Sequence, residues 1–504
     1  MSTAAAIVLL LAGVAGSGPR VLRLAQREHY LAGSVTRFWL RWVRRPPNPV
    51  WAVLTLAAAV VGVVVPVVLV VAAIGLAVGP IGLAWKGRTK PLVWTRRLRT
   101  LAAVAVALAA LVGLALGLLA GLEVAAVVVA LGAPLLVDLA CFVTAPIERR
   151  LAEQHVRRAA TKLAQVAPLV IAITGSYGKT STKQHLRDLL AGITSVVASP
   201  ASFNNRAGLA RTVNEHLELG TEVLIAEMGT YGPGEIRELV SWVHPRIAVI
   251  CAIGPVHLER MGSIDTIVRA KREITEGAEQ VVLNVDSPEL DALARELAPT
   301  VTVIRCGSVH PDVDVRVVRA DGSLVATVRG ETLRAPAADG VRETNVATAI
   351  GAALAAGAPP DAIGRALGRL QPAEHRNEVT RAPGGFLIID DTFSANPAGS
   401  RDALAALAAA PATGRRVVVT PGMVELGRAQ ATENADLARR AGEVADILVI
   451  VGWTNRAALR AGARDTDLQV VEVPDRERAV EWVRQQLREG DAVLYENDLP
   501  DHYP

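Results

Sequence analysis

Six residues near the middle of the chain, Gly175-Ser176-Tyr177-Gly178-Lys179-Thr180, have the types and order that hold a phosphate group. An apolar, β-branched run from Leu169 to Thr174 leads into them, and a helix-like stretch from Ser181 to Leu190 follows. A strand that ends in a glycine loop at the start of a helix turns backbone N–H groups and the positive end of the helix dipole toward one anion, with a lysine beside it. A hydroxyl in the place of Thr180 ligates magnesium in such loops. In the longer GxxxxGK[ST] pattern the first glycine would fall at Ile173, so this is the shortened form, and the string needs company before it specifies a chemistry.

That company follows in order down the chain. Asn204-Asn205-Arg206-Ala207-Gly208 comes first, then Ala226-Glu227-Met228-Gly229 and Gly232-Pro233-Gly234-Glu235-Ile236. Next are Ile253-Gly254-Pro255-Val256-His257-Leu258-Glu259 and Ala270-Lys271-Arg272-Glu273-Ile274. His375-Arg376-Asn377-Glu378, Ile389-Asp390-Asp391-Thr392-Phe393-Ser394-Ala395-Asn396-Pro397 and Pro421-Gly422-Met423-Val424-Glu425-Leu426-Gly427 complete the series. Together with Thr174 to Thr180 these blocks resemble the Mur ligase family. The stretches around Glu227, Glu235 and His257 are similar to its D-alanyl-D-alanine-adding branch.

The resemblance implies an ATP-dependent amide-bond (carboxylate–amine) ligase of peptidoglycan precursor synthesis, which forms an acyl phosphate before the amine attacks. Phosphoryl transfer spreads negative charge over several oxygens, so cations must converge on it. By resemblance, Gly175, Ser176, Tyr177, Gly178, Lys179, Thr180, Ser181 and Asn205 surround the nucleotide, with Lys179 on its β- and γ-phosphates. Thr180 and Glu227 hold one magnesium ion, and His257 a second. Lys271 matches a lysine that several members carbamylate, which turns a cation into an acceptor for that second metal. Asn345 falls where the family contacts adenine, Arg376 reaches the γ-phosphate, and Asp391 meets the ribose once the C-terminal domain closes. ATP and two magnesium ions are thus the expected cofactors, and Lys179, His257, Lys271 and Arg376 the expected catalytic set. Apart from the family, His257 also fits a core or surface hydrogen bond, Lys271 a helix-surface lysine, Asn345 a helix cap, and Arg376 and Asp391 surface ion pairs.

The chain departs from the family pattern in three places. In the Glu343 to Ala349 block, Thr344 replaces a usual histidine and Thr348 a usual asparagine. Only Ile147 to Val166 separates the last apolar run from the phosphate loop, which leaves no room for a UDP-binding domain. A Lys-Gly-Ser type loop is replaced by Glu496-Asn497-Asp498-Leu499-Pro500-Asp501, so Asp498 and Asp501 either meet the incoming amine or form a solvated acidic tail. The partners expected are therefore an amine and a carboxylate that is either a small molecule or lipid-linked. A membrane-anchored enzyme amidating a lipid-linked or other envelope carboxylate is the alternative within this chemistry. A non-catalytic membrane scaffold that binds nucleotide is the alternative outside it, and a transporter is disfavoured because no polar residues line the apolar runs.

The elements that must position these residues read as an α/β protein with N-terminal transmembrane helices, a central P-loop ATPase domain of the Mur ligase type and a C-terminal Rossmann-like domain. The boundaries expected are 1–146, 147–381 and 382–504, the last after the break Ala382-Pro383-Gly384-Gly385. Strand-like runs Val223 to Ala226, Ile247 to Ala252 and Val281 to Asn284 alternate with helical stretches in the central part. Phe386 to Asp390, Val417 to Thr420, Ile447 to Val451, Val470 to Val473 and Ala492 to Tyr495 do so in the last part, as a doubly wound sheet.

Ahead of them, no charge interrupts Trp51 to Trp85, Leu101 to Leu122 or Val124 to Val137, runs long enough to span a bilayer. The first makes two short spans about Pro66, the second and third a hairpin near Gly121 to Glu123. Ala4 to Gly16 is a shorter candidate, a retained anchor or a cleaved signal peptide, so four or five spans are expected. Buried helices of a soluble domain remain the alternative. The basic stretches Arg20 to Arg45 and Lys86 to Arg99 flank the runs and belong on the cytosolic side, and the same parity carries Pro146 onward there. The expectation is a multi-pass protein of a bacterial-type plasma membrane with cytoplasmic catalytic domains.

Composition agrees. The 504 residues are 51% hydrophobic but only 4% aromatic, and the mean hydropathy is +0.33. The net charge of +4 is crowded beside the apolar runs, which marks topology and not a nucleic-acid footprint. Three cysteines, Cys141, Cys251 and Cys306, lack metal-ligand spacing and read as free thiols.

Overall fold

The computed structural model describes residues 2–504 except 85–90, 201–202, 337, 339, 373–377, 393–395 and 500–501. The chain forms two compact units, Met1–Ala152 with Leu499–Pro504, and Glu153–Asp498.

The first unit is helical: α1 (Thr3–Arg27), α2 (Ser34–Arg44), α3 (Asn48–Val64), α4 (Leu69–Val78), α5 (Arg96–Ala120), α6 (Leu122–Leu131) and the start of α7 (Ala133–Val166). The opening segment is longer than its apolar run, because α1 continues through Pro19 to Arg27. Small residues let α1 lie close on α4: a Cβ at Gly13 would come within 2.4 Å of the Ala73 carbonyl oxygen. The expected breaks are present, at Pro66 between α3 and α4 and at Gly121, with φ +94°, between α5 and α6. Ala4–Arg27 and Arg96–Ala120 are long and apolar enough to cross a membrane. The pairs α2 with α3 and α6 with α7 meet the same test together, bent by 108° and 71°.

The C-terminal residues Leu499–Pro504 belong to this unit too. Trp42 Nε1 donates to the His502 carbonyl at 2.8 Å, and His502 Nε2 is 2.8 Å from Glu28 Oε1, with both side chains buried. The Phe38 ring packs 4.8 Å from the His502 ring and edge-on to Tyr503.

The second unit holds two sheets. Nine strands make the first: β1 (Leu169–Thr174), β2 (Val196–Ala198), β3 (Val223–Glu227), β4 (Ile247–Ile250), β5 (Gln280–Asn284), β6 (Thr302–Gly307), β7 (Val315–Ala320), β8 (Ser323–Val328) and β9 (Glu331–Pro336). Their order is β2-β3-β1-β4-β5-β6-β7-β8-β9. The strands β2 to β6 pair with their neighbours and β1 in parallel, whereas β7, β8 and β9 form an antiparallel meander. A parallel strand covered on both faces reads as a continuous apolar run, which is why Leu169–Thr174 is so legible. Val170 and Ala172 enter one core while Ile171 and Ile173 enter the other. Each such buried aliphatic side chain contributes about 1.5–3 kcal/mol.

The sheet grows to one side of β1 through β2 and β3, and to the other through β4. The ends of β1, β3 and β4 thus border the crevice where open α/β sheets bind ligands. The other sheet has β10 (Glu378–Arg381), β11 (Leu387–Asp391), β12 (Arg416–Thr420), β13 (Ile447–Val451), β14 (Gln469–Val473) and β15 (Ala492–Glu496) in the order β10-β11-β15-β12-β13-β14. All pairs are parallel except β10 with β11.

Candidate active site

The loop after β1 opens directly into α8 (Lys179–Leu190), with Gly178 as N-cap at φ +82°. A Cβ there would meet Asn345 Oδ1 at 2.5 Å, so both the backbone angle and the space demand glycine. The loop after β4 holds it in place. Ser176 Oγ donates to the Gly254 carbonyl at 3.0 Å and Tyr177 OH to the Ile253 carbonyl at 3.1 Å.

Charged groups from three elements meet at this loop. Lys179 Nζ donates to the Gly175 carbonyl at 2.7 Å. Glu227, at the end of β3, accepts from Thr180 Oγ1 at 3.1 Å and from Asn204 Nδ2 at 3.2 Å, and pairs with Lys183 Nζ at 2.8 Å. Burial would raise the Glu227 carboxyl, but Lys183 and Lys179 outweigh it and hold the group below the usual carboxylate range, hence ionised. Lys271, on the helix Ile264–Arg272, is 3% exposed and not the surface lysine its helix position also allowed. Burial, and then the charge of Lys179, push its ammonium well below the ordinary lysine value, and among the described residues it has no ion-pair partner.

His257 stands at the start of a short helix, Leu258–Met261, with φ +61°. Its Nδ1 makes a short hydrogen bond to Oε2 of Glu425, and Arg260 Nη2 donates to Oε1 of the same carboxylate at 3.1 Å. Glu425 comes from the loop after β12, so this contact joins the two sheets' domains.

Asn345 is not a cap. The helix Glu343–Ala355 is capped at Arg342, and Asn345 lies inside its first turn against Gly178. With Tyr177, Ser181, His185, Arg342 and Asp402 it lines a cavity of about 220 Å³ beside the phosphate loop. Asn205, in contrast, caps α9 (Arg206–His216), its Oδ1 accepting from Gly208 N at 2.9 Å, and its neighbour Asn204 is the asparagine that reaches Glu227. Asp391 is fully buried at the end of β11, in register with Glu496 on β15, which closes it off from a ribose in this arrangement. Burial and the Asp391 charge push Glu496 up to about 8, against a hydrogen bond from Thr420. Asp498 pairs with Arg476. Arg376 and Asp501 lie outside the described residues.

Sequence reasoning missed Lys183, Asn204, His185 and Glu425. Lys183 had a signal, since it sits four residues after Lys179 on the same face of α8. Asn204 was one residue from the asparagine chosen, Glu425 lay inside the Pro421 to Gly427 block without being singled out, and His185 had no signal.

A phosphate loop at the crevice of a parallel sheet, flanked by lysines and joined to a Rossmann-like domain, defines a P-loop phosphoryl-transfer enzyme with a second domain. Two family descriptions match the chain: "Mur ligase middle domain" over residues 173–334 and "Mur ligase, glutamate ligase domain" over residues 375–495. The UDP-N-acetylmuramoyl-tripeptide–D-alanyl-D-alanine ligase of Mycobacterium leprae is 34% identical over 362 residues, covering 64% of this chain and 70% of that one. The crystal structure of MurF from Acinetobacter baumannii superposes with a TM-score of 0.60 at 25% identity, over 69% of this chain and 77% of its own. MurF ligase from Thermotoga maritima in complex with ADP shares the fold, with a TM-score of 0.60 at 24% identity over 69% and 80%. The chain belongs to the Mur ligase family. It is an ATP-dependent acid–amino-acid ligase that forms amide bonds, resembling the D-alanyl-D-alanine-adding enzyme of peptidoglycan synthesis.

Proposed function

We propose that this ligase joins a peptidoglycan-precursor carboxylate to an amine by the D-alanyl-D-alanine-adding type of reaction, on the inner face of a membrane into which residues 1–146 insert. Residues 147–381 then form the ATP-binding domain and 382–504 the closing domain. The observation that carries the reading is the phosphate loop itself, where Lys179 and Lys183 act on the ionised carboxylate of Glu227 and buried Lys271 lies within electrostatic reach of Lys179. A substrate carboxylate oxygen attacks the γ-phosphorus of ATP and ADP leaves. The amine nitrogen then attacks the acyl carbon, phosphate departs with the C–O bond, and the amine gives up a proton. Lys179 and the loop amides neutralise the charge that moves to the leaving ADP. Asn345, Tyr177 and Ser181 hold the nucleoside end, and Arg376 serves the γ-phosphate.

The donors suit magnesium. A buried ionised carboxylate and a hydroxyl 3.1 Å apart are hard oxygen ligands, and magnesium completes its shell with phosphate oxygens and water, so a cage of acidic residues is not required. Bound there, the ion would neutralise β- and γ-oxygens. His257 would serve a second ion, helped by a carbamate on Lys271. A buried lysine without an acidic partner is the kind whose neutral amine adds carbon dioxide. The acceptor is either UDP-linked or lipid-linked, and the apolar helices α1 and α5 favour the second.

Purified protein supplied with ATP, candidate carboxylates and D-alanyl-D-alanine should release ADP and phosphate; AMP would contradict the acyl-phosphate route. The loss of activity expected of Lys271→Ala should be partly restored by short carboxylic acids, and failure of rescue would sink the carbamate.

A further inference from the structure

Two residues that touch across the domains of the second unit share an unusual backbone. His257 has φ +61° and Glu425 φ +64°. Non-glycine residues are held there only where their surroundings enforce it, and such strain gathers at functional sites. The carboxylate between them is firmly placed: Oε2 bonds His257 Nδ1, Oε1 takes Arg260 Nη2 at 3.1 Å, and the Glu425 carbonyl accepts from Glu259 N at 3.1 Å. The Arg260 guanidinium lies 4.8 Å over the Tyr231 ring, which packs edge-on to the imidazole at 4.9 Å. Among the described residues, Nε2 of His257 makes no hydrogen bond. An imidazole whose Nδ1 donates to a carboxylate is held in one tautomer and one plane, the arrangement that orients metal-bound histidines.

We propose that Glu425 is a positioning residue for the ligation reaction: the closed C-terminal domain delivers its carboxylate to Nδ1 of His257 and so presents Nε2 as a lone-pair donor to a divalent cation at the ATP phosphates. This rests on the metal role proposed for His257. Domain closure and metal readiness are then one event, because the carboxylate and the imidazole come from different domains. Arg260 keeps the carboxylate from rotating away, and Tyr231 packs against the imidazole.

The test reads the ring before any turnover. Ligand-free protein labelled with nitrogen-15 in histidine, with His257 assigned from a His257→Asn sample, should show a protonated Nδ1 and a bare Nε2, and Glu425→Ala should revert to the commoner Nε2–H tautomer. With a non-hydrolysable ATP analogue, Mn2+ affinity followed by electron paramagnetic resonance should fall about 10–100-fold in Glu425→Ala. Glu425→Gln, which still accepts a hydrogen bond, should recover part of it. In turnover, kcat should fall while KM for ATP holds, and His257→Ala with Glu425→Ala together should be no worse than His257→Ala alone.

An Nε2–H tautomer in the unsubstituted protein, or independent effects of the two substitutions, overturns the proposal. Tighter Mn2+ binding in Glu425→Ala would do so as well, and would make the contact an inhibitory latch. If the unsubstituted protein never forms ADP, the ligase reading fails, while the tautomer and Mn2+ results still decide the role of Glu425.

Discussion

Both sheets of the second unit gather ionisable groups at the carboxyl ends of parallel strands, yet they do so with opposite charge. Around β1 and β3, Lys179 and Lys183 act on the carboxylate of Glu227, and buried Lys271 lies within electrostatic reach of Lys179. At the ends of β11 and β15, Asp391 and Glu496 are buried in register, with Thr420 of β12 bonded to Glu496. The first arrangement places buried Lys271, which has no ion-pair partner among the described residues, beside the positive charge of Lys179, a setting suited to an anionic ligand. The second completes itself by holding a proton, since two adjacent buried carboxylates cannot both ionise cheaply. The same kind of sheet edge suits an anionic ligand in one case and is a buried, protonated end in the other, and the difference lies in the sign of the charge gathered there.

The largest effect should come from breaking the cationic edge. Lys179→Ala is expected to lower the rate of ADP formation by at least about 10²–10³-fold, the scale of losing one preorganised donor at a phosphoryl group. Thermal stability should change little, because Lys179 is only partly buried and its hydrogen bond to the Gly175 carbonyl lies within its own loop. Full turnover by this variant would remove the phosphate loop from the mechanism.

The two edges should also differ in how pH acts on stability. Glu496 is raised to about 8 from an ordinary 4.5. Between those values the native state keeps a proton that the unfolded chain has lost, so stability present below 4.5 declines as pH rises through about 8. The span is on the order of a few kcal/mol. Glu496→Gln should flatten that alkaline decline in urea unfolding, and an unchanged slope would mean the carboxyl is not buried protonated.

His185, on α8 at the cavity wall, behaves in the opposite sense. Burial lowers it to about 4 from 6.5, so stability present above 6.5 is lost as pH falls toward 4. His185→Gln should reduce the acid limb by roughly 3 kcal/mol. Hydrogen exchange resolved by domain should then report the acid limb in the central sheet and the alkaline limb in the C-terminal one.

What was legible in the amino-acid order follows from locality. The phosphate loop, its strand and its helix are contiguous, and the buried parallel strands are uninterrupted apolar runs, so Leu169 to Thr174, Val223 to Ala226 and Ala492 to Tyr495 stood out, each within one residue of the strand that forms. Strands β7 to β9 did not, because runs such as Val315–Ala320 and Glu331–Pro336 place arginine, glutamate and threonine on an open face. Arginines at 20, 23 and 27 hid the second half of α1. Pairings between distant segments were out of reach altogether: Glu425 is 168 residues from His257. The asparagine pair shows the finest grain, since a one-residue choice separates a helix cap at Asn205 from a site residue at Asn204.

The smallest effect tests whether the sealed edge is sealed throughout. Asp498 was a candidate contact for the incoming amine, but in the fold it pairs with Arg476, with side-chain exposures of 20% and 35%. A partly exposed pair of this kind contributes less than about 1 kcal/mol. Asp498→Asn should therefore shift the melting temperature only slightly and leave KM for the amine unchanged. The comparison breaks if KM for the amine rises tenfold or more while folding is unaffected. Arg476 would then be a placeholder for the substrate's ammonium group, and the C-terminal edge, like the central one, would carry a charge that waits for a ligand.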